Sequence, residues 1–339
     1  MEQERGTRPQ LLRIALRSFD RQWLIADNRV LDFPRPDLWE SLQPGQLFLN
    51  QQSSHEIASG PALVATALLP DTHHFNGRGG RVHPLLHPDG TANVPTGLLR
   101  YLAAALGLDD VSVQELAAYA VAVAGHSAFT EHFAEDLLTP GVRLPLTRDP
   151  ALWAEAVRIG RTFLWAATYG DAGSPPVGQE GVSFKAGDPR HVRYETRIGA
   201  AVPETLAYDA ETATLRVGPG TFTGVTPAVW NYDVGGMNIV RKWFGYRKAS
   251  PTSRRTSPLD DIHVTSWPDE WTVELIDLLS VLRRLVDLAS AQQELTARIV
   301  AAPVVTVADL TSAGVLPPQP GATRARRRVV LDFGQDDVS

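Results

Sequence analysis

The run SWPDEWTVELIDLLSVLRRLVDLASAQQELTARIV, residues 266–300, constrains this chain more than any other stretch. Trp271, Leu275, Leu278, Leu282, Leu285, Leu295 and Ile299 recur at helical spacing, which predicts one long helix with a continuous apolar stripe. Ser266 with Asp269 three positions later marks its start. A stripe of that length must be covered. Either the chain's own core or a docking partner can do so, and both uses stay open at this point.

Three shorter helical patterns precede it. SVQELAAYAVAVAGH opens on Ser112 with Glu115 three residues on, the pattern of a capping box. SAFTEHFAEDLL repeats the signal from Ser127, with Phe129, Phe133 and Leu137 at helical spacing. ALWAEAVRIGRTFLWAATYG carries Leu152, Ala156, Ile159 and Phe163 on one side.

The remainder reads as β-structure and loops. Residues 11–33 alternate apolar and polar runs and predict a hairpin turning at Asp27 and Asn28. Pro34 and Pro36 stop it, and PDLWESL reads as a short helix. LFLN, PALVATALL and RVHPLLH are expected strands, while 171–230 alternates strand-like runs with Pro and Gly and includes a hairpin, LAYDAETATLRV. The expected fold is therefore α+β mixed, with β-rich lobes around a central helical group and a long C-terminal helix. The main region is placed at 11–265, in one or two lobes with a break near 171. The long helix follows at 266–302 and a weakly ordered tail at 303–339. No internal repeat is visible.

Of the 339 residues 43% are hydrophobic and 21% charged, so a sizeable core is available and wholesale disorder is excluded. There is no cysteine, which rules out disulfides, thiolate zinc sites, iron–sulfur clusters and cysteine nucleophiles. The N-terminus has no signal-peptide core, and the longest weakly polar stretch, ELAAYAVAVAGHSAF, is shorter than the ~20 residues of a membrane span. A soluble, cytoplasmic protein is expected.

One segment departs from the charge of the whole. GGMNIVRKWFGYRKASPTSRR, residues 235–255, holds Arg241, Lys242, Arg247, Lys248, Arg254 and Arg255 and no carboxylate, in a chain of net charge −6. Gly235 and Gly236 predict a turn, and Asn238 a cap for a helix from about Ile239 to Lys248. Val240, Trp243 and Phe244 would face inward. Arg241 and Lys248 share another face, with Lys242 and Tyr246 further round. Arg247 falls near the apolar side, where a buried carboxylate is its natural partner. The loop that follows offers hydroxyls and two arginines, a combination suited to phosphate oxygens. A solvated helix face is the plain alternative.

Two other patches carry cations. KAGDPRHVRYETR, residues 185–197, adds Lys185, Arg190 and Arg193 as candidate DNA contacts and predicts a strand presenting Arg190 or Arg193 beside Tyr194, or equally a polar strand edge. NGRGGR, residues 76–81, sets Asn76, Arg78 and Arg81 among glycines that let backbone approach a ligand, and Arg and Asn suit guanine and adenine edges. A tight turn with exposed arginines fits it as well. His73, His74, His83 and His87 crowd into 73–87, but neighbouring residues of an extended segment point to opposite sides, so no metal is expected. No nucleophile elbow or dinucleotide fingerprint is present, and no catalytic residue or cofactor is assigned. The terminal RARRR reads as a basic tail.

Four stretches together give a resemblance. SFDRQWLIADNRVLDFPRPDLW (18–39), DTHHFNGRGGRVHPLL (71–86), AYAVAVAGHSAFTEHFAEDLLTPGVRLPLT (118–147) and PAVWNYDVGGMNIVRKWFGYRK (227–248) resemble, in order and spacing, the C-terminal specificity region of type ISP restriction-modification enzymes. The likeness covers roughly residues 11–300. It implies a target-recognition domain that binds double-stranded DNA and raises Arg241, Lys242, Arg247, Lys248, Arg254 and Arg255 to phosphate contacts. Full-length enzymes of this type join a nuclease, an ATPase motor and an adenine methyltransferase to the recognition domain. Here the Walker, methyl-donor and NPP[YF]-type motifs are missing, so the expectation is a recognition module without catalysis of its own, working with a methyltransferase on another chain. Two other readings stay open. A hydrolase with a site invisible to motifs would show turnover lost on mutating one His or carboxylate. A truncated remnant would lack a neighbouring methyltransferase gene.

Overall fold

The computed structural model describes residues 10–27, 31, 35–249 and 264–318. Arg254 and Arg255 lie outside the described residues. Strand β1 (Leu11–Arg17) and strand β2 (Asp20–Ile25) form the expected hairpin, but the chain turns at Ser18 and Phe19 rather than at Asp27. Phe19 takes a positive φ of 63° there, with its ring buried against the core. That burial outweighs the more turn-like Asp-Asn sequence. Helix α1 (Pro36–Glu40) follows, then β3 (Phe48–Gln51), β4 (Val64–Thr66), β5 (Leu69–Pro70) and β6 (Arg81–Pro84). β5 pairs parallel with β1, while β4-β3-β6 make an antiparallel sheet.

The helical group comprises α2 (Leu98–Leu106), α3 (Val113–Ala124), α4 (Ser127–His132) and α5 (Pro150–Ala167). α2 was not anticipated. α3 begins with the capping box of Ser112 and Glu115 and is buried on every side from Ala117 to Ala124, the signature of a central core helix. It crosses α5 backbone to backbone: a methyl on Gly160 would sit 1.8 Å from the Ala118 carbonyl oxygen. Asp149 caps α5 by accepting from the amides of Ala151 and Leu152.

Next come β7 (Arg193–Thr196), β8 (Leu206–Asp209), β9 (Thr214–Val217) and β10 (Gly220–Thr223), an antiparallel sheet in the order β7-β10-β9-β8. After α6 (Pro227–Trp230), a tight hairpin of β11 (Asp233–Val234) and β12 (Met237–Asn238) leads into α7 (Ile239–Gly245). The long helix is α8 (Asp269–Ala301), preceded by Pro268 rather than capped by Ser266. Its stripe belongs to the core. Leu275, Leu278, Leu282, Leu285, Leu295 and Ile299 are buried, and Gln292 donates to the carbonyls of Val121 and Ala122 and Thr296 to that of Val123, which ties α8 to the C-terminal end of α3. The segment assigned to a tail begins with structure: Val304 bridges to Thr147, and Thr306 with Asp309 caps α9 (Val307–Ser312). The architecture is α+β, and one buried cluster includes residues from both sides of position 171, from Phe19 to Val315.

Candidate nucleic-acid interface

The turn ahead of α7 is built to be rigid. Gly235 and Gly236 have φ of 55° and 80°, a left-handed pair that glycine adopts without steric cost. Ser59 Oγ donates to Asp233 Oδ2 at 2.5 Å, and Gly60 lies so close that a Cβ there would stand 2.4 Å from the Asp233 carbonyl oxygen. Asn238 then caps α7 as expected, its Oδ1 accepting from the Arg241 amide at 2.9 Å, while its Nδ2 donates to the Trp230 carbonyl at 2.6 Å.

This frame fixes which side of α7 faces water. Val240, Trp243 and Phe244 are buried, whereas Arg241 and Lys248 are exposed and Lys242 is half-buried. The helix ends at Gly245, earlier than expected, but the amides of Arg247 and Lys248 still bond back to the Phe244 carbonyl at 2.9 Å, so the turn continues through Lys248. The Arg241 guanidinium lies 4.9 Å from the centre of the Trp230 ring, and Lys242 Nζ lies 4.9 Å from that of Tyr246. Among the described residues no carboxylate comes within ion-pair distance of Arg241, Lys242 or Lys248.

Arg247 is different and must leave the set of DNA contacts. Its guanidinium is buried, 2.8 Å from Asp20 Oδ1 and 3.4 Å from Glu274 Oε2, and stacks 3.9 Å over Trp243. A phosphate cannot reach it without breaking the core. Burial pushes the Asp20 carboxyl above its usual range, with Arg247 pulling the other way. Glu274 also holds Arg13 at 2.5 Å, so hairpin, α7 and α8 meet in one charged knot.

The glycine-rich loop adjoins the α7 turn. Asn76 Nδ2 donates to the Gly235 carbonyl at 3.1 Å, and its Oδ1 accepts from Gln52 Nε2 at 3.3 Å and from the Arg78 amide at 3.2 Å. With both ends of its amide engaged, Asn76 is the joint between two loops and is not free to read an adenine edge. Arg78 and Arg81 are exposed, and among the described residues neither meets a carboxylate. Nearby His74 is buried, its Nδ1 3.1 Å from the Ala15 carbonyl, while His73 is exposed. No cluster able to hold a metal ion occurs among the described residues.

The 185–197 patch does not join this face. Lys185 pairs with Glu180 at 2.9 Å, Arg190 with Asp188 at 2.7 Å, and Arg193 with Glu195 at 3.1 Å. Arg190 holds the Asp188 carboxyl well below the usual range and lies over Phe184. Only Arg193–Thr196 is strand, at the sheet edge opposite β8. Conversely, β8 brings in residues that the linear sequence gave no reason to select. A hollow of about 410 Å³ lies between β8 and α7, lined by Glu204, Ala207, Tyr208, Trp230, Arg241 and Lys248 among others. Tyr208 stacks on Trp230 at 5.0 Å beneath Arg241.

The family model for the type ISP C-terminal specificity domain matches residues 1–278. The chain belongs to that family. No curated protein sequence matches it. Among solved structures, this specificity domain superposes with a TM-score of 0.57 and 16% identity on a nuclease-deletion mutant of the type ISP restriction-modification enzyme LlaGI in complex with a DNA substrate mimic, over 90% of the chain and 26% of that enzyme. The DrdV–DNA complex gives 0.61 and 16% identity, over 86% of the chain and 28% of DrdV. The ATP-dependent type ISP enzyme LlaBIII bound to DNA gives 0.58 and 12% identity, over 90% and 19%. These likenesses show a shared fold. The specificity domain spans about a quarter or less of the length of each neighbour. Its family match ends within α8, yet the rest of that helix packs against the same core. No helix among the described residues is long and apolar enough to cross a membrane.

Proposed function

We propose that this type ISP specificity domain recognises a short sequence in double-stranded DNA for a restriction-modification system. In this reading it acts in the cytoplasm with an adenine methyltransferase, and with nuclease and motor parts, carried on another chain. The observation that carries the reading is the rigid α7 surface, where Arg241, Lys242 and Lys248 stand without carboxylate partners among the described residues of an acidic protein. An unneutralised cluster of that kind lowers the free energy of a polyanion nearby and draws it in. Phosphate contacts there would set register, while Arg78 on the glycine-rich loop and Arg81 at the start of β6, tied to the same turn through Asn76, would be placed for base edges in the major groove. Arg254 and Arg255 extend the set in sequence. The family membership and the DNA-bound state of the structural neighbours support the same reading.

Selection from a library of random duplexes, with and without the cognate methyltransferase, tests it. Enrichment of one short sequence is expected. A library that stays random in both arms would contradict the proposal.

A further inference from the structure

The first hairpin is covered at one end and open at the other. Its register pairs Leu11 with Ile25, Arg13 with Trp23 and Ala15 with Arg21, so these residues rise from one face of the ribbon. Near the turn that face is closed. Ala15 is buried, and Arg21 lies 3.7 Å over the Tyr169 ring and 3.7 Å from Asp277 Oδ2. Further along, Arg13 is held by Glu274. Beyond it the cover ends: Leu11, Trp23 and Ile25 are 61%, 63% and 42% exposed. The opposite face of the ribbon already supplies a core, through Leu12, Ile14 and Leu24, so the hairpin does not need Trp23 or Ile25 for its own packing.

Helix α8 extends the open area. Glu274 and Asp277 mark the side of α8 that faces the hairpin, and Glu270 and Val273 stand one turn back on the same side. Val273 is 58% exposed. Apolar side chains scattered singly over a surface are ordinary, but four of them along one opening mark an interaction site. Trp23 is also set in place beforehand. The Arg13 guanidinium lies 4.8 Å from the centre of its ring and is itself fixed by Glu274, so little freedom is lost when a partner covers the ring.

Charge selects the occupant. Arg13 and Arg21 are neutralised by Glu274 and Asp277, whereas Asp269 and Glu270 are exposed and, among the described residues, have no cation within ion-pair distance. The rim is therefore acidic. It repels nucleic acid and anionic lipid, and a second copy would set the rim against its own like. A protein surface with an apolar hollow edged by lysine or arginine is complementary to it. The solved chains that share the fold are also far longer, with this domain matching 26%, 28% and 19% of them.

We infer that the face formed by Leu11, Trp23, Ile25 and Val273 docks the methyltransferase chain, with Trp23 as anchor and with Asp269 and Glu270 meeting basic residues of that partner. The inference rests on the reading that a methyltransferase on another chain works with this domain. Arg17, at the other end of β1, reaches the Tyr246 ring at the end of α7. Seven strand residues place Leu11 about 20 Å from there. A partner seated on this face stands beside the DNA surface of α7 without covering it.

The test measures binding of the full chain to the purified cognate methyltransferase by titration calorimetry, with duplex binding by the chain alone and thermal unfolding as controls. Trp23→Ala is expected to weaken methyltransferase binding about thirtyfold, the loss of one aromatic anchor, while duplex binding stays at the wild-type level. Glu270→Lys, a surface change on α8 that leaves the hairpin intact, is expected to weaken it about threefold to tenfold at low salt and less at high salt. Wild-type affinity for the methyltransferase in Trp23→Ala overturns the docking face. So does a dimer of the chain, seen by sedimentation, that Trp23→Ala dissociates while methyltransferase affinity holds. A wild-type chain that binds duplex but no methyltransferase overturns the docking inference and leaves DNA recognition standing. One that binds neither overturns both.

Discussion

Arg247 and Asp20 meet at 2.8 Å across 227 positions of sequence, with side chains only 1% and 3% exposed. The pair joins the turn after α7 to the first hairpin, and Glu274 links both to α8. The cations on the outside of α7 are held in place by a cation on its inside. Arg247→Met would leave Asp20 buried without its partner, a change that costs about 3–5 kcal/mol. Urea denaturation should show that loss, and an unchanged midpoint would contradict the account of the knot.

Acid should destabilise the fold through two buried histidines. Burial lowers His74 and His126 from the ordinary 6.5 to about 4. Each is neutral in the folded state, so the unfolded chain binds more protons between pH 6.5 and pH 4, and stability falls as pH drops through that window. The full loss is about 3 kcal/mol per histidine. His126→Gln should make the fall of the urea midpoint from pH 7 to pH 4.5 visibly shallower. An identical pH profile would show that His126 is not buried as described.

The α3–α5 crossing admits no side chain at Gly160, where a Cβ would meet the Ala118 carbonyl oxygen at 1.8 Å. Gly160→Ala must push two core helices apart. Although alanine favours the helix by about 1 kcal/mol, the overpacking costs about 3 kcal/mol or more and wins. Calorimetry should record a lower melting temperature, and a rise would refute the close crossing.

Asn76 serves as a joint, and its substitution should behave accordingly. Asn76→Ala removes the bond to the Gly235 carbonyl and should reduce stability by about 1 kcal/mol. DNA binding should weaken evenly across sequences, with the preferred site unchanged. A changed preference at one base position would restore Asn76 to direct readout.

The sequence was legible where local signals agreed with packing. The capping box at Ser112, the Asn238 cap and the apolar stripe of α8 all lie where the residues place them. Arg247 could be foreseen as a buried partner because it falls on the apolar side of α7, but its carboxylates come from Asp20 and Glu274, and no local pattern names a partner so distant. The same limit hid Glu204 and Tyr208, which come beside α7 only because β8 and the residues before it pack there. The hairpin turn was misplaced because a buried Phe19 ring stabilises a turn that its local sequence does not favour. The ion pairs that neutralise Lys185, Arg190 and Arg193 do lie within a few residues in sequence, and acids at such spacing are a usable warning that a basic patch is already satisfied.

The most direct measurement is the salt dependence of duplex binding by Arg241→Ala/Lys248→Ala beside the wild-type chain. Both side chains are on the surface, so the variant should melt as the wild type does. Its affinity at moderate salt should drop, and its log–log slope should flatten by about 1–2, the equivalent of one to two lost phosphate contacts. Unaltered affinity with an unaltered slope would mean that DNA does not lie against α7, and the central claim would fail.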